Sequence, residues 1–209
     1  MKKNRKIITK QLKNTNTKYH CVNKQNILTS IILIIITSLS FLLDKTIINI
    51  VSIIQYPILF KFFYTTTLLG EVYIYIWIAI ILTAALLANR KPVTAFVSAI
   101  VASGIVELLI KSIARRPRPF ETLNVPSNII TSSSSFPSGH TMMFFVMIPI
   151  LSKNFPKAKT VFWIIAILVG LSRIYLEVHY FSDVVAGAVF GYAIGWIFMK
   201  IGEKYEWNY

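Results

Sequence analysis

Apolar runs, each broken by a short polar cluster, follow a basic N-terminal stretch along this chain. The runs lie at about 27–43, 68–88, 92–112, 139–152, 160–176 and 184–199, against the roughly 20 residues a helix needs to cross the hydrocarbon of a bilayer. They predict an all-α fold, a polytopic membrane protein with six transmembrane helices in a bundle. The fourth run is short and contains Pro149, so it spans only if its helix starts near Ser138 and runs towards Phe155. Residues 1–26 read as a solvated basic tail with eight Lys or Arg and no acid. That is long for the n-region of a secretory signal, and no small-residue cleavage pattern follows, so the first span is expected to be retained. The expected organisation is a cytoplasmic tail over 1–26, a six-span domain over 27–200 and a short cytoplasmic tail over 201–209.

Two polar stretches lie between spans. Segment 44–67 mixes Ile, Phe and Tyr with Asp44, Lys45, Asn49, Gln55 and Lys61, and Pro57 interrupts it. It reads as an amphipathic segment on the outer surface, either helping to admit a lipid or only covering the bundle. Thr131 to Ser135 form a flexible polar lead-in to span four.

Composition agrees with lipid as the main solvent: 55% of residues are hydrophobic, 14% are charged and the mean hydropathy is +0.63. The net charge of +14 does not point to nucleic acid, because the cations sit in the tail and between apolar runs rather than on one water-facing patch. Cys21 is the single cysteine, which excludes an intrachain disulfide and a thiolate metal cluster. With the N-terminus inside, fifteen cations fall on cytoplasmic segments: the eight of the tail, Arg90, Lys91, Lys153, Lys157, Lys159, Lys200 and Lys204. Seven fall on the other side or at adjacent helix ends: Lys45, Lys61, Lys111, Arg115, Arg116, Arg118 and Arg173. The positive-inside rule then places both termini in the cytoplasm.

Helix parity gathers four chain ends on the outer face: the end of span three, the start of span four, the end of span five and the start of span six. Lys111, Arg118, Ser138, Gly139, His140, Arg173, His179 and Asp183 all fall there. Ionisable groups near bilayer depth are costly unless paired or functional. Each has an ordinary explanation alone: Lys111 and Arg115 could snorkel, Arg173 could pair with Glu177, and Asp183 could begin a helix. Independent snorkelling does not predict their gathering on one face. Lys111, Arg118 and Arg173 suit a tetrahedral anion. Ser138 and Gly139 at a helix start add a hydroxyl, an approachable backbone and the positive end of the dipole. Of the two imidazoles, His179 is the better nucleophile, because Asp183 four residues on can orient it, and His140 is the better general acid. Arg116 stands beside the cluster, with a second phosphate, lipid headgroups and the interface all open as its partners. Glu71 and Glu107 are isolated acids that could be buried against the cations.

These residues resemble the type-2 phosphatidic acid phosphatase superfamily, which also includes vanadium haloperoxidases. The resemblance rests on Lys111, six residues, Arg118-Pro119; then Pro137-Ser138-Gly139-His140; then Ser172-Arg173, five residues, His179, three residues, Asp183. It implies phosphate binding by Lys111, Arg118, Ser138, Gly139 and Arg173, a phosphohistidine on His179, acid catalysis by His140 and support from Asp183. It also implies metal-independent hydrolysis of a lipid phosphate or diphosphate held in the membrane; no other cofactor, no nucleic acid and no obligate protein partner is inferred from the sequence. The candidate lipids are undecaprenyl diphosphate, ranked slightly first, with phosphatidylglycerol phosphate, phosphatidic acid and a lipid A phosphate unranked beside it. The expected location is a bacterial-type cytoplasmic membrane with the site facing the extracytoplasmic side. A lipid phosphotransferase, a vanadate-dependent haloperoxidase and a non-catalytic lipid transporter are the alternatives on the same pocket.

Overall fold

The computed structural model describes residues 2–71, 93–122 and 134–204. Every regular element among them is helical. They are α1 (Lys2–Ile53), α2 (Pro57–Glu71), α3 (Val93–Ala114), the short α4 (Pro119–Thr122), α5 (Gly139–Asn154), a 3-10 turn (Pro156–Ala158), α6 (Lys159–Tyr175) and α7 (Phe181–Lys204). The chain divides into two compact units, Met1–Leu39 and Ser40–Tyr209. In the first, Thr37 turns its hydroxyl back onto the Leu33 carbonyl at 2.8 Å, which leaves no polar atom of that side chain for lipid to solvate.

Among the described residues, four helices are long and apolar enough to cross a membrane: Ile27–Ile53, Val93–Thr122, Pro156–Tyr175 and Phe181–Lys204. Large apolar side chains such as Val101, Leu108 and Ile113 on α3 and Ile164 and Leu171 on α6 stay exposed, as lipid solvation allows. Most of the second expected span, 72–88, lies outside the described residues, as do the side chains of the basic tail and of Glu71. The fourth is a helix of 16 residues, roughly 24 Å at 1.5 Å per residue and so shorter than a hydrocarbon core.

The first helix departs from expectation. Instead of ending at residue 43 it continues through Asp44 to Ile53, and the break falls at 54–56, before Pro57 opens α2. Asp44 does not stop the helix because its charge is paired and hydrogen-bonded inside the protein, where it is 6% exposed. The break itself is pinned: Gln55 Nε2 donates to the Tyr175 carbonyl at 3.0 Å, and Tyr175 Oη donates to the Ile54 carbonyl at 2.7 Å.

The core of the second unit is built on α5 and α7. Gly187, Gly191 and Gly195 recur every fourth residue on α7 and meet the carbonyls of Ser138, just before α5, and of Met142 and Val146 on it. A Cβ at Gly187 would lie 2.6 Å from the Ser138 oxygen, and at Gly191 and Gly195 closer still. Backbone meets backbone, the close approach that small residues permit where lipid supplies no hydrophobic force between helices. Ala95, Phe96 and Ala99 of α3 close over Val146, Met147 and Ile150, while Ala166 of α6 packs on Phe145 and Ile148.

Candidate active site

Four helix ends converge at one end of this core. Helix α3 stops at Ala114 because Arg115 turns into the left-handed region (φ 44°) and Pro117 and Pro119 follow. Arg115 is exposed and its Nε donates back to the Ser112 carbonyl at 3.1 Å, so it caps its own helix. The next residues fold under the site. Arg116 N–H donates to Ser134 Oγ at 2.9 Å, and Ser135 N–H to the Arg116 carbonyl at 2.8 Å, which ties the strap after α3 to the strap before α5. That second strap turns through a cis peptide between Phe136 and Pro137, and Ser138 N–H donates to the Asp183 carbonyl at 3.0 Å, setting the start of α5 on the start of α7.

Between α6 and α7 the chain reverses in five residues. Glu177 takes a positive φ of 55°, and the amides of Val178 and His179 both return to the Arg173 carbonyl, at 3.3 and 3.2 Å. This tight return carries His179 to the centre of the cluster, 2% exposed. Glu177 is buried beside it, and burial raises its carboxyl above the usual range, against a smaller opposing effect of a hydrogen bond from Gln55.

The His179 ring has a defined polarity. Its Nδ1 is 2.7 Å from the carbonyl oxygen of Ser135, which can only accept, so Nδ1 carries the proton. Its Nε2 faces Arg118 Nη1 at 3.5 Å, and since a guanidinium only donates, Nε2 presents its lone pair. Burial, reinforced by Arg173 and Arg118 and opposed by Asp183, lowers the imidazole to about 4, so it is neutral at physiological pH. The partner of Nδ1 is therefore Ser135 rather than Asp183, whose nearest oxygen is 3.6 Å away. Asp183 acts one step back: its Oδ2 accepts from Ser135 Oγ and, at 2.9 Å, from the Tyr180 amide, holding the segments on either side of the ring.

Arg118 is 3% exposed; its amide donates to Glu121 Oε2 at 3.0 Å, and its Nη1 donates to the Val178 carbonyl at 2.9 Å and faces the His179 ring. Arg173 is 2% exposed, and its charge is felt at His179. Ser138 is fully buried and accepts from Thr141 Oγ1 at 3.0 Å, and His140 stands half-buried one residue into α5. Lys111 pairs with Glu107 one turn back, at 2.7 Å. The Glu107 carboxylate lies directly against Gly139, in the space a side chain there would fill. Lys111, Arg118, Ser138, Gly139, Arg173, His179 and Asp183 thus share one end of the core, with His140 beside Gly139. Arg116 meets this group only through Asp183, its guanidinium pairing with the Asp183 and Asp44 carboxylates. Among the described residues, no three of His, Cys, Asp and Glu gather as a metal site.

Ser135, Ser182 and Asp44 are contacts that sequence reasoning missed. Ser135 serves through its carbonyl, which no residue type advertises. Asp44 did carry a signal, a lone carboxylate at the end of an apolar run, of the kind that marked the other site residues.

Residues 92–207 match the family model described as the PAP2 superfamily. Phosphatidylglycerophosphatase B of Bacillus subtilis is 37% identical over 84 residues, 35% of this chain and 41% of that protein. Bacitracin transport permease protein BcrC of Bacillus licheniformis is 35% identical, over 49% of this chain and 52% of the relative. Undecaprenyl-diphosphatase of Sulfolobus acidocaldarius is 31% identical, over 61% of this chain and 64% of the relative. The chain spans about half the length of these relatives. The fold matches the crystal structure of a transmembrane PAP2 type phosphatidylglycerolphosphate phosphatase from Bacillus subtilis, with a TM-score of 0.69 at 24% identity, covering 82% of this chain and 94% of that one. Aquifex aeolicus LpxE matches with a TM-score of 0.62 at 24% identity, covering 76% of this chain and 95% of that one.

Proposed function

Since the chain belongs to the PAP2 superfamily, we propose that it is a membrane-bound lipid phosphatase that works through a phosphohistidine at His179. The observation that carries this is the polarity of His179: its proton is held by the Ser135 carbonyl and its lone pair faces the Arg118 guanidinium. A phosphorus atom whose oxygens are held by Arg118, Arg173, Lys111 and the Gly139 end of α5 would meet that lone pair directly. Nε2 forms the bond to phosphorus as the bond to the leaving oxygen breaks. The electron pair passes to that oxygen, which takes its proton from His140. Water then attacks phosphorus and gives its proton back to His140, and the phosphate leaves with Nε2 regaining its pair. The surrounding cations stabilise charge on the equatorial oxygens, the main task in phosphoryl transfer.

The names of the relatives support lipid phosphates and diphosphates as substrates, and undecaprenyl diphosphate stands first, followed by phosphatidylglycerol phosphate, phosphatidic acid and a lipid A phosphate. The reaction proposed needs no metal. Six spans with both termini in the cytoplasm and the site outside follow from the cation distribution and helix parity. One panel of prenyl diphosphates, glycerophospholipid phosphates and lipid A, assayed in detergent with and without chelator, tests substrate class and metal dependence together. The expected result is phosphate release insensitive to chelator. His179→Ala abolishes release and the trapped phosphoenzyme, whereas His140→Ala mainly slows departure of the leaving group. Full activity in a folded His179→Ala protein refutes the assignment.

A further inference from the structure

Behind Asp183 lies a second tier of charge that the reaction outlined above does not use. Arg116 extends its two terminal nitrogens to different carboxylates: Nη1 to Asp183 Oδ1 and Nη2 to Asp44 Oδ2, each at 2.6 Å. Asp44 is in turn saturated, with Oδ1 accepting the Ser182 amide at 2.8 Å and Oδ2 the Ser182 hydroxyl at 2.5 Å. The Ser182 hydroxyl also accepts from Arg116 Nη1 at 2.7 Å, so the four side chains close on one another. The guanidinium is clamped face-on as well, with its carbon 4.0 Å from the centre of the Tyr180 ring and 5.2 Å from that of Phe41. Asp183 is fully buried and Asp44 6% exposed, so these contacts act where water screens them little.

We infer that Asp44 and Arg116 are positioning residues, which hold the Asp183 carboxylate and through it the Ser135 strap that orients His179. The inference rests on the phosphatase reading of the site and names a part of its machinery beyond the residues that touch phosphate. Its logic is one of charge and of geometry. Arg116 alone would neutralise Asp183. Shared with Asp44, it leaves a net charge of −1 in the group, beside a ring that gains positive character when Nε2 bonds to phosphorus. Geometrically, Arg116 fixes one oxygen of Asp183, which leaves the other aimed at Ser135 and the Tyr180 amide. A lysine could keep the charge but not span two carboxylates with two nitrogens. Asp44 also caps the first turn of α7, where it satisfies an amide that the helix cannot. Asp44 stands outside residues 92–207, the part of the chain that matches the family, so the first helix supplies a group to the site.

The test compares Asp44→Asn, Arg116→Lys and the double variant with the parent chain in detergent, with melting temperature recorded for each. Two readouts are taken: kcat and KM on the best lipid of the panel, and affinity for inorganic orthovanadate, which takes up the geometry of the transferring phosphoryl group. Each single variant should lower kcat by about tenfold with KM changed less than twofold, the usual scale for residues that orient an active group. Vanadate affinity should fall by about the same factor, and Asp44→Asn should cost little further in the Arg116→Lys background. A raised KM with unchanged kcat in Arg116→Lys would make Arg116 a phosphate ligand and overturn the inference. So would unaltered kcat and vanadate affinity in Asp44→Asn, or losses that add fully in the double variant and track melting temperature alone. If the parent hydrolyses no lipid phosphate but vanadate binding weakens in both variants, the positioning role stands and the phosphatase reading falls.

Discussion

A single ring nitrogen decides the chemistry at residue 179. Because burial and two nearby guanidinium groups lower the imidazole to about 4, it is protonated only below that pH and keeps its lone pair above it. The acid limb of kcat/KM that reports the nucleophile should therefore fall near pH 4. A limb near 6.5, where an exposed histidine titrates, would mean that the ring is not held as described. Glu107 offers a second test. Its carboxylate pairs with Lys111 and lies against Gly139, so an incoming phosphate must contend with an anion already at two of its contacts. Glu107→Gln should strengthen inhibition by inorganic phosphate about five- to tenfold, on the order of 1 kcal/mol. Weaker inhibition would instead assign Glu107 to aiming Lys111. At this scale the sequence was most legible where an ionisable side chain stood in apolar surroundings, as for Arg173 and His179. It was silent on Ser135, because a carbonyl belongs to every residue, and misleading on the partner of Nδ1, because four-residue spacing brings Asp183 near without making it the nearest acceptor.

Helix α7 shows how an element can be placed by what it lacks. Gly187, Gly191 and Gly195 let it lie on the α5 backbone, so a methyl group at Gly195 would strike the Val146 carbonyl. Gly195→Ala should lower stability by about 1–3 kcal/mol, the usual range for overpacking, read as a drop in melting temperature in detergent. Gly104→Ala, where nothing stands within 4 Å, should change stability by less than about 1 kcal/mol. Apolar runs made most of the described helices legible beforehand, since length and hydropathy are properties of the chain itself. The end of α1 was not legible. A carboxylate at position 44 looks like a boundary until its partners Arg116 and Ser182, far along the chain, are known to be in contact with it. Likewise the reversal at Glu177 needs a left-handed residue, and nothing in that side chain announces one.

For the whole molecule, thiol labelling reads which side of the bilayer the convergent end faces. With Cys21 replaced by serine, a membrane-impermeant thiol reagent should label a cysteine placed within 128–134 in intact spheroplasts but not one at position 157. The reverse pattern would turn the site towards the cytoplasm and reassign the fifteen cations counted as internal. The family-matched stretch, 92–207, holds every signature residue from Lys111 to Asp183 but not Asp44. That division has a consequence for transplantation. A chimera that carried this stretch into the frame of a relative would import the whole reactive cluster and leave its anchor behind, so its turnover would depend on what the host's first helix offers to Arg116.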